Sequence, residues 1–285
     1  LNEFIKYQSL GNDFILFDWR MHSQATIEGC IYNAQWKTTV VKLCDRHFGI
    51  GADGVLILKK IGSSIEMLIF NSDGSLAEIC LNGMRCAAHY LYHLDPGNTI
   101  IQIRAGRQLI SNYIEDGQIK TQIPEAVYEE AVTASTAEGV FAGHRISVGN
   151  PHFVIFQEKE LSWLAKHGAL IEQHPLFKHK TNVEFVWKKN DSCSNFCVLV
   201  YERGCGITLA CSSGAAAIVK ALRQLEMIQD EEVVRLDMLG GTLECMMLDG
   251  MVSLKGTASP VFSGKIEAIR LPNKILFAQL HESHL

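Results

Sequence analysis

The chain has 285 residues, 47% of them hydrophobic and 20% charged, with a formal net charge of −5. This composition suits a folded globular protein with a sizeable core and excludes a disordered chain. No Lys/Arg-rich run stands out and no apolar run approaches the roughly 18 residues of a membrane span, so the expected partner is a small-molecule substrate, with no nucleic acid and no membrane.

The N-terminal stretch LNEFIKYQSLGNDF contains no apolar signal-peptide core, and the expected location is the cytoplasm. Nine cysteines are present. An odd number in a long chain argues against a secreted disulfide framework, and the absence of any C-x-x-C pair argues against a structural metal site. Most of these thiols read as small buried hydrophobes, including Cys86. Cys205 reads as structural, and Cys193 and Cys197 as residues of an alternating strand.

In chain order, FILFDW reads as a strand and residues 35–48 as a helix. GVLILKK and EMLIF are strands, 82–94 a helix, and TIIQIRA, RISVGN and FVIFQ strands. A shorter helix is expected near 159–172. VEFVW and FCVLVYE are strands, 213–226 is a helix, and LECMML and MVSLKG close the series. The strands are β-branched or aromatic runs bounded by Gly, Asp or Asn, and the helices follow a period near 3.6. The fold class is α+β, rich in sheet, with few central helices.

The chain looks doubled. LGNDF places Asn12 after a glycine, and VGNPHF does the same for Asn150. EICLNGMRCAAHYL sets Cys80 before a helix start, and LACSSGAAAIVKAL does so for Cys211. IEDGQIKTQI and MLDGMVSLKG are both strand, Asp-Gly turn, strand. The order Asn, Cys, hairpin is kept in both halves, at spacings that agree within a few residues. Two copies of one α+β unit related by a pseudo-two-fold explain this, and such an axis would turn both cysteine-bearing helix starts toward one cleft.

The first N–H groups of a helix lack intrahelical partners, and the helix dipole favours negative charge there. A thiol at that place is expected to ionise more easily than its usual value near 8.5. The same N–H groups can grip a substrate carboxylate, and the small residues Ser212, Ser213 and Gly214 allow close approach. One thiolate can then remove an α-proton from one face of an amino acid while the opposite thiol delivers a proton to the other. Helix N-termini would stabilise the charge that builds on the carboxylate. No pyridoxal phosphate or other cofactor is needed.

With these residues in place, the chain resembles the diaminopimelate epimerase family over nearly its full length. SLGNDFILFD, CDRHFGIGADGVLIL, IFNSDGSLAEICLNGMRC, VGNPHFVIF, NVEFV, YERGCGITLACSSGA and LGGTLE follow that family's segments in order. The resemblance implies interconversion of LL- and meso-diaminopimelate on the route to lysine and peptidoglycan, without a cofactor or metal, usually as a homodimer. It implies two pseudo-symmetric halves, each a mixed, mostly antiparallel sheet wrapped around a central helix, with the active site between them. Residues 1–122 carry Cys80 and are completed by part of 262–285, and residues 123–261 carry Cys211.

Position by position, the resemblance makes Cys80 and Cys211 the acid/base pair. Backbone at Leu81, Asn82, Ser212 and Ser213 would hold the reacting carboxylate. Asn12, Asn71, Asn150, Asn182, Glu202 and Arg203 would bind the substrate's polar groups, with Arg203 suited to a carboxylate and Glu202 to an ammonium. His152 is a possible auxiliary group. Three positions depart from the family pattern: Leu81 and Ser212 stand where glycine usually follows each cysteine, and Ile207 replaces a glutamate. A leucine there must point away from the ligand, and a positive φ would strain it. A racemase of another amino acid and an inactive ligand-binding homologue remain alternative readings. The stretch 272–285 reads as a short terminal helix or a frayed tail.

Overall fold

Leu10 and Gly11 both have positive φ, 52° and 80°. This is the backbone of a two-residue hairpin turn whose twist suits flanking strands. It folds β1 (Glu3–Ser9) antiparallel onto β2 (Asn12–Asp18), with Ser9 opposite Asn12. The computed structural model describes residues 2–77, 79–189 and 194–266. After β2 come α1 (Gln24–Ile31), α2 (Trp36–Cys44), β3 (Gly54–Ile61), β4 (Ser64–Asn71), β5 (Leu76–Ala77), α3 (Leu81–Leu94), β6 (Ile100–Ala105), β7 (Gln108–Glu115) and β8 (Gln118–Pro124). Then follow β9 (Val127–Thr136), β10 (Gly139–Ser147), β11 (Pro151–Ile155), α4 (Leu161–Glu172), β12 (Asn182–Lys188), β13 (Asn195–Glu202) and β14 (Gly206–Thr208). The last are α5 (Ser212–Gln224), β15 (Val234–Met238), β16 (Gly241–Leu248), β17 (Met251–Gly256) and β18 (Ser259–Lys265).

The fold is α+β. The chain divides into two compact units, one running up to Thr121 and resuming at Thr257, the other spanning Gln122–Gly256. The sequence reading divides at 122/123 and 261/262. The chain returns to the first unit at Thr257, because β18 pairs antiparallel with β1 and sets Glu3 opposite Lys265.

Each unit repeats one pairing scheme. In the first, β2 runs parallel to β3, β3 antiparallel to β4, and β4 antiparallel to β5 and parallel to β6. In the second, β11 runs parallel to β12, β12 antiparallel to β13, and β13 antiparallel to β14 and parallel to β15. β6 with β7, and β15 with β16, continue the series antiparallel. The Asp-Gly turns are the tight hairpins their sequences predict: Asp116 and Gly117 have φ of 51° and 74°, and Asp249 and Gly250 have 52° and 71°.

Two helices sit at the centres. α3 packs against β1, β2, β3, β4, β6, β7 and β18, and α5 against β9, β10, β11, β12, β16 and β17. Their sequences explain this. Leu81 to Ala88 of α3 are all buried, as are most residues from Gly214 to Leu222 of α5. A helix buried nearly all round needs apolar or small side chains on every face, and the alanines of both segments supply them. The expected helices at 82–94 and 213–226 are these two. That expected over 35–48 is the shorter α2, ending where Asp45 leaves helical φ/ψ, and that near 159–172 is α4. α1 has no counterpart in the sequence reading. Its eight residues mix glycine and β-branched side chains, although Ser23 caps it by accepting from the Thr26 N–H.

Aromatic side chains fill a cluster in each unit. Phe17, Trp19, Trp36 and Phe70 pack with Ile15 and Ile57 in the first, and Phe141, Phe153, Phe177 and Phe185 with Leu164 in the second. Phe17 and Phe153 are fully buried. Phe17→Ala and Phe153→Ala each lower stability by about 3–5 kcal/mol, as expected for a large core deletion that leaves a cavity. Urea unfolding of the two variants measures this.

Candidate active site: two cysteine-capped helix starts

Cys80 is the N-cap of α3. Its extended backbone (φ −142°, ψ 111°) turns the side chain back over the first turn, where Sγ accepts from the Gly83 N–H at 3.4 Å. Asn12 stands beside it, Oδ1 lying 3.8 Å from Cys80 Sγ and accepting from Asn82 Nδ2 at 3.2 Å. The other end of the Asn12 amide donates to Asp53 Oδ2 at 2.8 Å. That carboxylate belongs to a charged brace: Arg46 pairs with Asp13 at 2.7 Å and Asp53 at 2.8 Å, and Lys6 pairs with Asp13 at 2.7 Å. Burial pushes the Asp13 carboxyl up, but hydrogen bonds from Arg46 and Lys6 outweigh it and hold it down at about 2. Beneath the helix start the buried Arg85 donates to Ser9 Oγ at 3.0 Å and to Asn82 Oδ1. Asn71 ends β4 and donates to Ser75 Oγ at 3.0 Å.

Cys211 caps α5 in the same manner (φ −124°, ψ 110°), and Sγ accepts from the Gly214 N–H at 3.3 Å. Ser213 Oγ lies 3.4 Å from the sulfur and accepts from Asn150 Nδ2 at 3.5 Å. Asn150 Oδ1 faces His152 Nε2 at 3.1 Å, and His152 Nδ1 faces Glu184 Oε1 at 2.6 Å. Asn182 has both amide ends engaged, donating to the Pro151 carbonyl at 2.8 Å and accepting from the Arg203 N–H at 2.9 Å. Glu202 Oε1 accepts from Thr208 Oγ1 at 2.6 Å, and its carboxyl hydrogen-bonds the Cys211 side chain. Arg203 is exposed, with one guanidinium nitrogen 3.4 Å from the His179 carbonyl. Among the described residues no group of three or more His, Cys, Asp or Glu is arranged to hold a metal ion.

The expected acidification does not hold for Cys211. Burial pushes its thiol well above the ordinary value, Glu202 and Glu184 add to the rise, and the Ser213 and Gly214 donors offset only part of it. A buried thiol beside two carboxylates outweighs a helix dipole, whose influence is of the order of 1 kcal/mol. Burial also raises the Glu202 carboxyl, with Glu184 as the second cause.

A model of the diaminopimelate epimerase family matches residues 4–129 and 145–259. The diaminopimelate epimerase of Carboxydothermus hydrogenoformans is 38% identical, over 92% of this chain and 98% of its own. The chloroplastic diaminopimelate epimerase of Oryza sativa subsp. japonica is 36% identical, over 92% of this chain and 79% of its own. The chain belongs to the diaminopimelate epimerase family. It is an isomerase, of the amino-acid epimerase class.

Solved structures share the fold at low identity. A probable proline racemase from Agrobacterium radiobacter K84 superposes with a TM-score of 0.72 at 10% identity, covering 95% of this chain and 94% of its own. A predicted epimerase from Pseudomonas aeruginosa gives 0.67 at 11%, covering 94% and 100%.

The departures from the family pattern have a plain local account. Leu81 and Ser212 are the first helical residues of α3 and α5, and neither has a positive φ. Any L-residue can therefore occupy them, and both side chains are buried. Ile207 lies on β14 opposite Tyr201 and packs against the aromatic cluster of the second unit. Cys86 is buried in the core, whereas Cys205 is exposed. Cys193 and the stretch 272–285 lie outside the described residues.

Sequence reasoning passed over Asp13 on β2 and over Arg46 and Asp53, which lie between α2 and β3. It also passed over Glu184, although a carboxylate inside the apolar run VEFVW was a usable signal.

Alkylation needs the thiolate. At about pH 8, Cys211 should therefore react with a small haloacetamide far more slowly than a free cysteine does. Its rate should still be rising above pH 9, and the midpoint should fall in Glu202→Gln, which removes one of the two carboxylates. Peptide mass spectrometry of a timed labelling series measures this.

Proposed function

We propose that the protein interconverts LL- and meso-diaminopimelate by two-base proton transfer, with Cys80 and Cys211 as the acid/base pair and no cofactor. The observation that carries this reading is the matched capping of two central helices by cysteine. Each sulfur lies at a helix start, where the backbone N–H groups of the first turn favour negative charge.

The chemistry balances without a co-reactant. A thiolate accepts the α-proton, and the electron pair of the broken C–H bond moves onto the α-carbon and its carboxylate. The second thiol gives its proton to the opposite face, which inverts the centre and leaves the thiolate on the other sulfur. The raised Cys211 thiol holds its proton in the unliganded enzyme, which suits it to the donor's part. The N–H groups at Leu81, Asn82, Ser212 and Ser213 grip the reacting carboxylate and stabilise its growing charge. Asn12, Asn71, Asn150 and Asn182 supply polar contacts. Arg203 binds the distal carboxylate through its forked guanidinium, and Glu202 the distal ammonium.

The reaction serves lysine and peptidoglycan-precursor synthesis in the cytoplasm, and the working form is a homodimer. No helix among the described residues is long and apolar enough to cross a membrane.

Incubation with LL-diaminopimelate in deuterated water, followed by proton NMR, tests the reading. Loss of the α-proton signal with appearance of the meso form is expected, and both Cys80→Ala and Cys211→Ala should lower turnover by at least about a thousandfold. Full turnover in either variant rules out the thiol pair. No reaction of the reduced wild type with this substrate, but exchange on another amino acid, moves the enzyme to a different substrate.

A further inference from the structure

The repeated scheme allows the two units to be compared residue by residue. Asn12 precedes Phe14 by two positions, and Asn150 precedes His152 by two. In the parallel pairs, Phe14 lies opposite Gly54 and His152 opposite Asn182. Two residues further on stand Leu56 and Glu184. The glycines of the helix starts confirm the match. A Cβ on Gly83 would come within 2.9 Å of Leu56 Cδ2, and one on Gly214 within 2.8 Å of Glu184 Oε1. The first unit therefore places an apolar pair, Phe14 and Leu56, where the second places His152 and Glu184.

The polar pair is built, not incidental. Both side chains are fully buried, and the contact is 2.6 Å. Glu184 Oε2 is also buried and has no hydrogen-bond partner. A carboxylate in such a place is costly unless something needs it. Gly214 lets it lie directly beneath the first turn of α5, where the helix dipole favours it. From Glu184 the contacts run through His152 Nδ1 and Nε2 to Asn150 Oδ1, then from Asn150 Nδ2 to Ser213 Oγ, beside Cys211 Sγ. One ring nitrogen is held by Glu184 and the other by Asn150, which fixes the imidazole between them.

We propose that Glu184 is a positioning residue for Cys211, holding the His152 ring so that it fixes the Asn150 amide and, through it, the Ser213 hydroxyl against the thiol. This rests on the two-thiol reading for its effect on turnover. The groups that face His152 are Glu184 from β12, Asn150 from the turn before β11 and Glu202 from β13. Of these, Glu184 alone makes direct carboxylate contact with the ring. Phe14 and Leu56 carry no such pair, so this device belongs to the second unit.

The test compares wild type, Glu184→Gln and the double variant His152→Phe/Glu184→Leu, which copies the pair of the first unit. Nitrogen-15 NMR of the histidine ring, assigned by its absence in the double variant, reads the hydrogen bonds of its two nitrogens directly. In wild type the Nδ1 signal should report the hydrogen bond to the Glu184 carboxylate, and in Glu184→Gln that signal should shift.

With diaminopimelate, Glu184→Gln should lower kcat by about tenfold or more with KM within about twofold. The double variant should melt at or above the wild-type temperature, since well-packed apolar residues replace a buried charged pair, while its kcat falls at least as far. Wild-type kcat in either variant, or a His152 ring whose nitrogen signals ignore Glu184→Gln, overturns the proposal. If Glu184→Gln does not fold, the kcat of the double variant decides. If wild type does not turn over diaminopimelate, the function reading fails, and the nitrogen signals still decide whether Glu184 sets the state of His152.

Discussion

Everything in this molecule that bears on chemistry depends on the first turn of a buried helix. A central helix must end somewhere, and its leading N–H groups must find acceptors. Here the acceptor at each helix start is a sulfur, Cys80 for the Gly83 N–H and Cys211 for the Gly214 N–H. The residue best placed to react is also the residue that finishes the helix. The sheets that surround α3 and α5 fix the position of each sulfur through the core rather than through a loop.

The same constraint explains what the surrounding residues are. Glycine three residues after each cysteine gives Leu56 and Glu184 room, since a Cβ there would come within 2.9 Å of Leu56 Cδ2 or 2.8 Å of Glu184 Oε1. Leu81 and Ser212 fit directly after the cysteines, since helical φ suits any L-residue. The glycine at the third place therefore answers to side-chain packing under the helix, and what the family usually has as glycine after the cysteine is not set by backbone strain in this chain.

Much of this was legible in the sequence because local signals agreed with one another. The Asp-Gly turns, the paired Gly-Asn steps and the small-residue helix starts each have a short-range physical cause, and their repetition in order disclosed the doubling. α1 was not legible, because eight residues of mixed character carry too little periodicity. The full extent of β9 was not either, since most of its residues are exposed and alternate weakly. At the site, the cysteines and asparagines could be named from pattern. The state of the Cys211 thiol could not, because it is governed by Glu202 and Glu184, which lie near in space and are remote in sequence.

That last point limits what symmetry can be asked to explain. A duplicated scaffold gives two helix starts, two asparagines and two cysteines, but a two-base reaction does not need two equal bases. In the two-thiol reaction proposed above, one sulfur gives a proton while the other takes one. A scaffold with identical surroundings on both sides would leave that choice to the substrate. Here Phe14 and Leu56 stand at one helix start in the places that His152 and Glu184 take at the other. Burial and two nearby carboxylates then keep the Cys211 proton in place. The surroundings of the two proposed bases are therefore unequal, and part of the inequality comes from Glu184, a buried side chain that acts on its sulfur without having to touch a substrate.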